Sequence, residues 1–305
     1  MMKRIKTQKN GFIARRQNFW GWILITPLTL GLLIWVLFPM GLSVITSLMS
    51  WDMISTATFV GLRNYLNLFT EDALFSKAIT VTFLYTLFSV PLQLLVAFAL
   101  AMLLNSKMRG VGAFRTIYYL PSLIPVVVSS VMWLWLYNQQ YGLINTVLVE
   151  FGLDRINWLN STEMVIPSLV IMSLWSVGNI VIIFLAGLQG IPGDLIEAAK
   201  IDGASAWKVF INVTIPFMSP VILYNLIINM IKALQLFTEP YIMTGGGPMN
   251  SSLTVVLHIY NNAFKYGKIG PANAMAWVLF ILTMGLSAFI YKSSDRWTFY
   301  EGDTK

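Results

Sequence analysis

Six apolar runs, each long enough to cross a bilayer, constrain this chain more than any other feature. They cover residues 22–48, 78–104, 117–137, 164–188, 218–243 and 273–291. A helix needs about 20 apolar residues to traverse the hydrocarbon layer. Inside lipid every backbone N–H and C=O must also be satisfied within the segment. The predicted fold class is therefore all-α: a polytopic membrane protein with six transmembrane helices over residues 19–292. A basic N-terminal segment (1–18) precedes it and a short tail (293–305) follows. Charged residues make up 11% of the sequence, against about 25% in a soluble domain, so lipid is the expected solvent for the outer surface. No connection between runs exceeds about 30 residues, which leaves no room for a soluble domain. Pro27, Pro39, Pro91, Pro121, Pro125 and Pro167 lie within runs, which membrane helices tolerate when neighbours satisfy the freed carbonyls.

Positive charge sets the predicted orientation. Residues 1–18 hold Lys3, Arg4, Lys6, Lys9, Arg15 and Arg16 and no acid, the pattern of a cytoplasmic flank rather than a nucleic-acid-binding arm. With that end inside, Lys107, Arg109, Arg115, Lys200, Lys208, Lys292, Arg296 and Lys305 are also cytoplasmic. Only Arg63, Lys77, Arg155, Lys265 and Lys268 are outside, and Lys232 lies within a span. Both termini and the loop at 191–217 are thus predicted to be cytoplasmic. The first run is longer than a signal-peptide core and lacks a small-residue cleavage site, so it is predicted to be retained.

Several chemistries are excluded. Cysteine is absent and His258 is the single histidine, so no thiol chemistry and no His-based metal or catalytic group is expected. No catalytic residue, metal site or cofactor is assigned to this chain. Gly245-Gly246-Gly247-Pro248 lacks the Lys-Ser/Thr of a phosphate loop and reads as a turn. Trp51, Trp133 and Trp135 read as interfacial anchors.

One loop departs from the apolar pattern. Residues 197–216, EAAKIDGASAWKVFINVTIP, are charged and amphipathic although insertion does not require it. Glu197, Ala198 and Ala199 are helix formers placed after Pro192-Gly193. Asp202-Gly203 permits a sharp reversal, because glycine takes positive φ without strain. A second short helix is expected to follow, with Trp207, Phe210 and Val213 available to fill a groove, and Pro216 marks entry to the fifth span. Such a helix pair, with no core of its own, suits docking against another protein.

In these residues the chain resembles the permease subunits of binding-protein-dependent ABC importers. The matching positions of their cytoplasmic signature are Glu197-Ala198-Ala199, Gly203, Val213 and Ile215-Pro216, with valine at 213 where isoleucine is commoner. FVGLRNYLNLF (59–69), FRTIYYLP (114–121), TGGGP (244–248) and AFKYGKIGPANAMAWVLF (263–280) are similar to the carbohydrate branch of that family. The resemblance covers nearly the whole chain. It implies a multi-pass subunit of the bacterial inner (cytoplasmic) membrane, paired with a second homologous permease subunit. It also implies two ATPase subunits that bind ATP and Mg, and an extracytoplasmic sugar-binding protein that delivers the substrate. On this resemblance residues 197–216 form a coupling helix, with Glu197 facing a basic residue of the ATPase and Gly203 making the turn. The large external insertion of some maltose-type members is missing, so short loops must receive the binding protein.

Polar residues inside spans mark the expected substrate path, because they are costly there and face a cavity or another helix. Asn225, Asn229, Lys232 and Glu239 recur at helical spacing on one face of the fifth span, with Gln235 beside it. Trp175, Ser176 and Asn179 share a face of the fourth. The resemblance places the path between these two spans. Amides, a hydroxyl and an aromatic face suit a sugar; the same asparagines and serine could instead bond neighbouring helices. Lys232 has two readings: pairing with Glu239, although seven residues is about 10.5 Å of axial rise, or attracting the carboxylate of an acidic oligosaccharide. The competing function is an ion-coupled secondary sugar transporter. That would want buried carboxylates in several spans, and only Glu239 qualifies; no internal repeat supports it either.

Overall fold

A computed structural model describes residues 11–52, 54–106 and 110–299, with side chains from residue 19 onward. The predicted cytoplasmic charges at residues 3–9, Lys107, Arg109 and Lys305 lie outside the described residues. The first run forms one rod: α1 (Gly11–Leu32), a π-turn at Leu33–Leu37 and α2 (Phe38–Ser47). Its apolar window has a mean hydropathy of 2.2 and none of it is buried within the chain. A helix that is apolar all round needs lipid or a neighbouring subunit around it. Its far end is held by Asn273 Nδ2 donating to Thr46 Oγ1 (2.6 Å) and Trp277 Nε1 donating to Ser43 Oγ (3.1 Å).

A two-residue antiparallel pair, β1 (Met49–Ser50) with β2 (Thr58–Phe59), closes the next loop and leads into α3 (Arg63–Thr70). Then comes α4 (Ala73–Leu104), the pillar of the molecule. Asp72 caps it, its Oδ1 accepting from the amides of Leu74 and Phe75, both at 3.0 Å. This satisfies two of the orphan N–H groups of the first turn. Along its length α4 contributes to each of the three apolar clusters: Phe75 and Ala78, then Tyr85 and Val90, then Ala97, Ala101 and Leu104. Ala97 and Ala101, four residues apart and fully buried, let a neighbouring backbone approach closely.

The third and fourth runs are not the continuous helices expected from hydropathy. The third splits into α5 (Val111–Tyr119), a 3₁₀ turn at Leu120–Leu123 and α6 (Val126–Leu136), bent by 98°. Pro125 is the cause: proline disfavours helical backbone in the residue before it, and Ile124 is extended (φ −77°, ψ 128°). After α7 (Leu143–Glu150), the fourth run splits into α8 (Val165–Trp175) and α9 (Gly178–Gln189), bent by 51°. Here packing is responsible. A Cβ on Gly178 would lie 2.7 Å from the Tyr118 carbonyl oxygen, so the two broken segments fit together only because that side chain is missing.

The remaining elements are α10 (Gly193–Ile201), α11 (Ala206–Val209), a π-turn at Phe210–Thr214, α12 (Ile215–Leu234) and α13 (Thr238–Met243). They are followed by α14 (Val255–Tyr260), a π-turn at Asn261–Lys265 and α15 (Ile269–Ser294). Among the described residues four helices are long and apolar enough to span a membrane, and six spans result if each bent pair counts as one. The glycine turn falls where expected, with Gly245 and Gly246 at φ 60° and 95°. Trp133 corrects the reading of the tryptophans: it is buried against Tyr137 and Trp175 rather than anchored at the interface, whereas Trp135 is exposed.

Candidate functional site

Two regions meet the sequence expectations. The first is a cavity of about 390 Å³ at the breaks in the third and fourth runs. Six of the seven predicted path residues line it: Trp175, Ser176, Asn179, Asn229, Lys232 and Glu239. The exception is Asn225, which is buried with its Nδ2 donating to the Val221 carbonyl (2.9 Å) and does not line it. Asn229 Nδ2 donates in turn to the Asn225 carbonyl (2.8 Å). That satisfies one donor within the helix and leaves the rest of the amide for the cavity. Lys232 is exposed and forms no salt bridge with Glu239, so the pairing reading fails although both groups face the same space.

The cavity also takes in Gln93 from α4, Tyr85, Ser122 at the third-run break, Ser129 from α6 and Ser173 from α8. These were missed. Gln93 had a signal, an amide within an apolar run two residues after Pro91. The serines had none, since Ser122 and Ser173 bond carbonyls three residues back (2.7 and 2.6 Å) and look like ordinary span residues. Their contribution depends on the bends. A mixture of amides, hydroxyls, an indole and one cation can hydrogen-bond a polyhydroxyl ligand and stack on its C–H face.

The second region is the loop at 191–217. In α10, Asp194 in the first turn and Lys200 in the last complement the helix dipole. The helix stops as its glycine demands. Gly203 takes φ +79°, its amide donates to Lys200 O (3.0 Å) and the Ala204 amide reaches back to Ala199 O (2.9 Å), a Schellman-type ending. Ser205 caps α11 by accepting from the Lys208 amide (3.4 Å). Glu197, Ala198, Asp202 and Gly203 are exposed, Ala199 and Pro216 partly covered. Trp207, 67% exposed, stacks on Phe210 (5.4 Å between centroids, 28°). Phe210 touches Phe98 of α4 (6.2 Å) and Phe98 meets Phe184 of α9 edge-on (5.2 Å). An unbroken line of rings thus runs from the loop surface into the core formed by α4 and α9.

The end of the chain returns to the same place. The Phe299 amide donates to Ser219 Oγ (2.8 Å) and its ring packs on Phe217 (5.3 Å), at the start of α12. His258, expected to do no chemistry, is buried with Nε2 2.9 Å from Asp72 Oδ2. It ties α14 to the cap of α4.

Comparison with known proteins agrees with this arrangement. The family model described as "Binding-protein-dependent transport system inner membrane component" matches residues 77–298. The chain is 35% identical over 291 residues to the probable ABC transporter permease protein YesP of Bacillus subtilis (strain 168), covering 94% of each. It is 34% identical over 275 residues to the trehalose/maltose transport system permease protein MalF of Thermococcus litoralis, covering 89% of this chain and 92% of that one. Among solved structures, a chain of a bacterial alginate ABC transporter, crystallised with an alginate pentasaccharide-bound periplasmic protein, superposes with a TM-score of 0.82. Sequence identity there is 22%, over 92% of this chain and 96% of that one, so the likeness is one of fold. A spanning bundle with bent third and fourth segments, a polar cavity at the bends and an exposed signature loop fit one another in this setting. The chain belongs to the family of inner membrane components of binding-protein-dependent transport systems.

Proposed function

We propose that this chain is the non-catalytic permease subunit of an ATP-driven importer for a sugar or oligosaccharide, which an extracytoplasmic binding protein delivers. The observation that carries the reading is the line of rings joining exposed Trp207 through Phe210 to Phe98 and Phe184, helices that also wall the polar cavity. A push on residues 197–216 is transmitted directly to α4 and α9. In this reading such a push comes from a neighbour, since the family matched is that of the membrane component. Two ATPase subunits, binding ATP and Mg, supply it in this reading, and a second permease subunit covers the exposed first rod. Glu197, Ala198, Ala199, Asp202, Gly203, Trp207, Phe210 and Pro216 form the coupling surface, with both chain ends on its side of the membrane. Trp175, Ser176, Asn179, Asn229, Lys232 and Glu239 line the path. Sugar as cargo is supported by the trehalose/maltose relative, and an acidic sugar by the unpaired cation Lys232. Reconstitution in proteoliposomes tests the whole: sugar uptake should require the ATPase subunits, ATP and the loaded binding protein together. Uptake by this chain alone on an ion gradient would overturn it.

A further inference from the structure

The end of the molecule remote from residues 197–216 carries a second cavity, of about 570 Å³, that shares no lining residue with the first. Its walls are the second half of α6, the turn from α6 to α7, the stretch of chain before α8 and the end of α13. Its size falls within the roughly 300–1,000 Å³ usual for ligand pockets. Two exposed aromatic side chains, Trp135 and Tyr141, stand with the amides of Asn138, Gln140, Asn157 and Asn160. No Asp, Glu, Lys, Arg or His lines it. Carboxamides present donor and acceptor side by side, which matches vicinal hydroxyls, and aromatic faces receive the C–H surface of a pyranose ring. An uncharged set of this kind suits a saccharide better than a peptide, a nucleotide or an ion.

The site is built rather than incidental. Asn145, 1% exposed, braces both walls: its Nδ2 donates to Gln139 O (3.2 Å) and Ile156 O (2.8 Å). Its Oδ1 accepts from Ile156 N (3.0 Å) and Trp158 Nε1 (3.1 Å). Arg155 Nη1 adds a bond to Gln140 O (2.8 Å). Asn138 Oδ1 accepts from the amides of Gln140 and Tyr141 (2.9 and 3.2 Å), fixing the turn that presents those two side chains, while its own Nδ2 makes no bond within the described chain. Behind this cavity a ladder of rings leads to the first one: Trp158 on Tyr137 (5.2 Å), Tyr137 on Trp133 (5.0 Å), Trp133 on Trp175 (6.2 Å). Tyr137 lines the outer cavity and Trp175 the inner.

We propose that this cavity is an entry subsite, on the outer face, for one ring of a saccharide, read by its hydroxyls and ring face and not by its charge. The inference rests on the sugar-import reading above and adds a second binding place to it.

The test uses the assembled importer in nanodiscs without binding protein, probed by saturation-transfer NMR with maltotriose, cellotriose and trigalacturonate. At least one should receive saturation in the wild type. Its apparent affinity should fall about tenfold in Trp135→Ala and in Gln140→Ala, a loss typical of one aromatic or hydrogen-bonding contact, and return in Trp135→Tyr. Unchanged saturation in both alanine variants, or none from any probe in the wild type, overturns the proposal. ATP-driven uptake by the same preparations separates the two readings. If the wild type imports sugar and both alanine variants keep its free-sugar saturation and its KM for loaded binding protein, the subsite alone is overturned and the import reading stands. If KM rises while free-sugar saturation stays the same, the surface docks the binding protein instead and the subsite is again overturned. If the wild type imports a solute other than sugar, both readings fall together.

Discussion

In the proposed path Lys232 is the residue that would read charge on the cargo. It faces the inner cavity beside Asn229 and Trp175 without a carboxylate partner, so its ammonium is free to meet a negative group on the cargo. A hydrogen bond to a charged partner contributes about 1.5–3 kcal/mol, which is roughly 10- to 100-fold in affinity. Lys232→Met, which keeps the length and removes the charge, is expected to lower uptake of a uronate oligosaccharide by that factor and leave a neutral one unaffected. Competition uptake in proteoliposomes checks this, and equal loss for both sugars would assign Lys232 a packing role. At this scale the polar side chains of Asn179, Asn229 and Lys232, each interrupting an apolar run, led to residues that line the cavity, and Gln93 carried the same signal. The pattern misled at Asn225, because helical periodicity gives the face but not how deeply the helix is packed: four residues from Asn229, Asn225 turns into the protein and spends its amide on its own backbone.

Among the elements, the loop at 191–217 turns on a single backbone position. Gly203 holds φ +79°, and a Cβ added there would meet nothing within 4 Å. Any effect of Gly203→Val is therefore conformational, about 1–2 kcal/mol for an L-residue in left-handed backbone. That penalty is relieved by unwinding the end of α10 and moving Trp207 off its place. Importers assembled with Gly203→Val or Glu197→Lys are expected to insert normally and their ATPase subunits to hydrolyse ATP while uptake falls at least severalfold, measured as solute moved per ATP consumed. A wild-type ratio in both would show that the loop does not transmit force. This helix–turn–helix was legible because its cues are local: a helix-forming triplet, a glycine at the reversal and a serine cap. The bends in the third and fourth runs were not. Hydropathy averages across them, Pro125 looks like any tolerated membrane proline, and the break at Ser176-Val177 arises from the approach of Tyr118 to Gly178, a contact between segments some sixty residues apart. Since those bends bring Ser122, Ser129 and Ser173 to the cavity, the part of the site built by them was invisible for the same reason.

For the molecule as a whole, the parity of crossings decides which face receives the driving force. Two of the six spans are bent pairs, by 98° and 51°, and a pair that dipped in and returned would reverse every loop after it. One observation favours full crossing. Counting both pairs as spans keeps the Lys/Arg excess on one side, as the positive-inside rule requires. The end of α15 returns to the start of α12, where the Phe299 amide bonds Ser219 and its ring meets Phe217, so residues 294–299 share a face with the loop at 191–217 and the fifth and sixth runs together cross an even number of times. The chain has no cysteine, so single substitutions report on this without background. Lys200 and Thr162 are both exposed and lie at opposite ends of the fourth span. Lys200→Cys should react with a membrane-impermeant maleimide only in inside-out vesicles, and Thr162→Cys only in right-side-out ones. Labelling of both from one side would make the α8–α9 pair a re-entrant loop. The reverse pattern would put residues 197–216 outside, away from any cytoplasmic ATPase, and the coupling role assigned to them would fail with it.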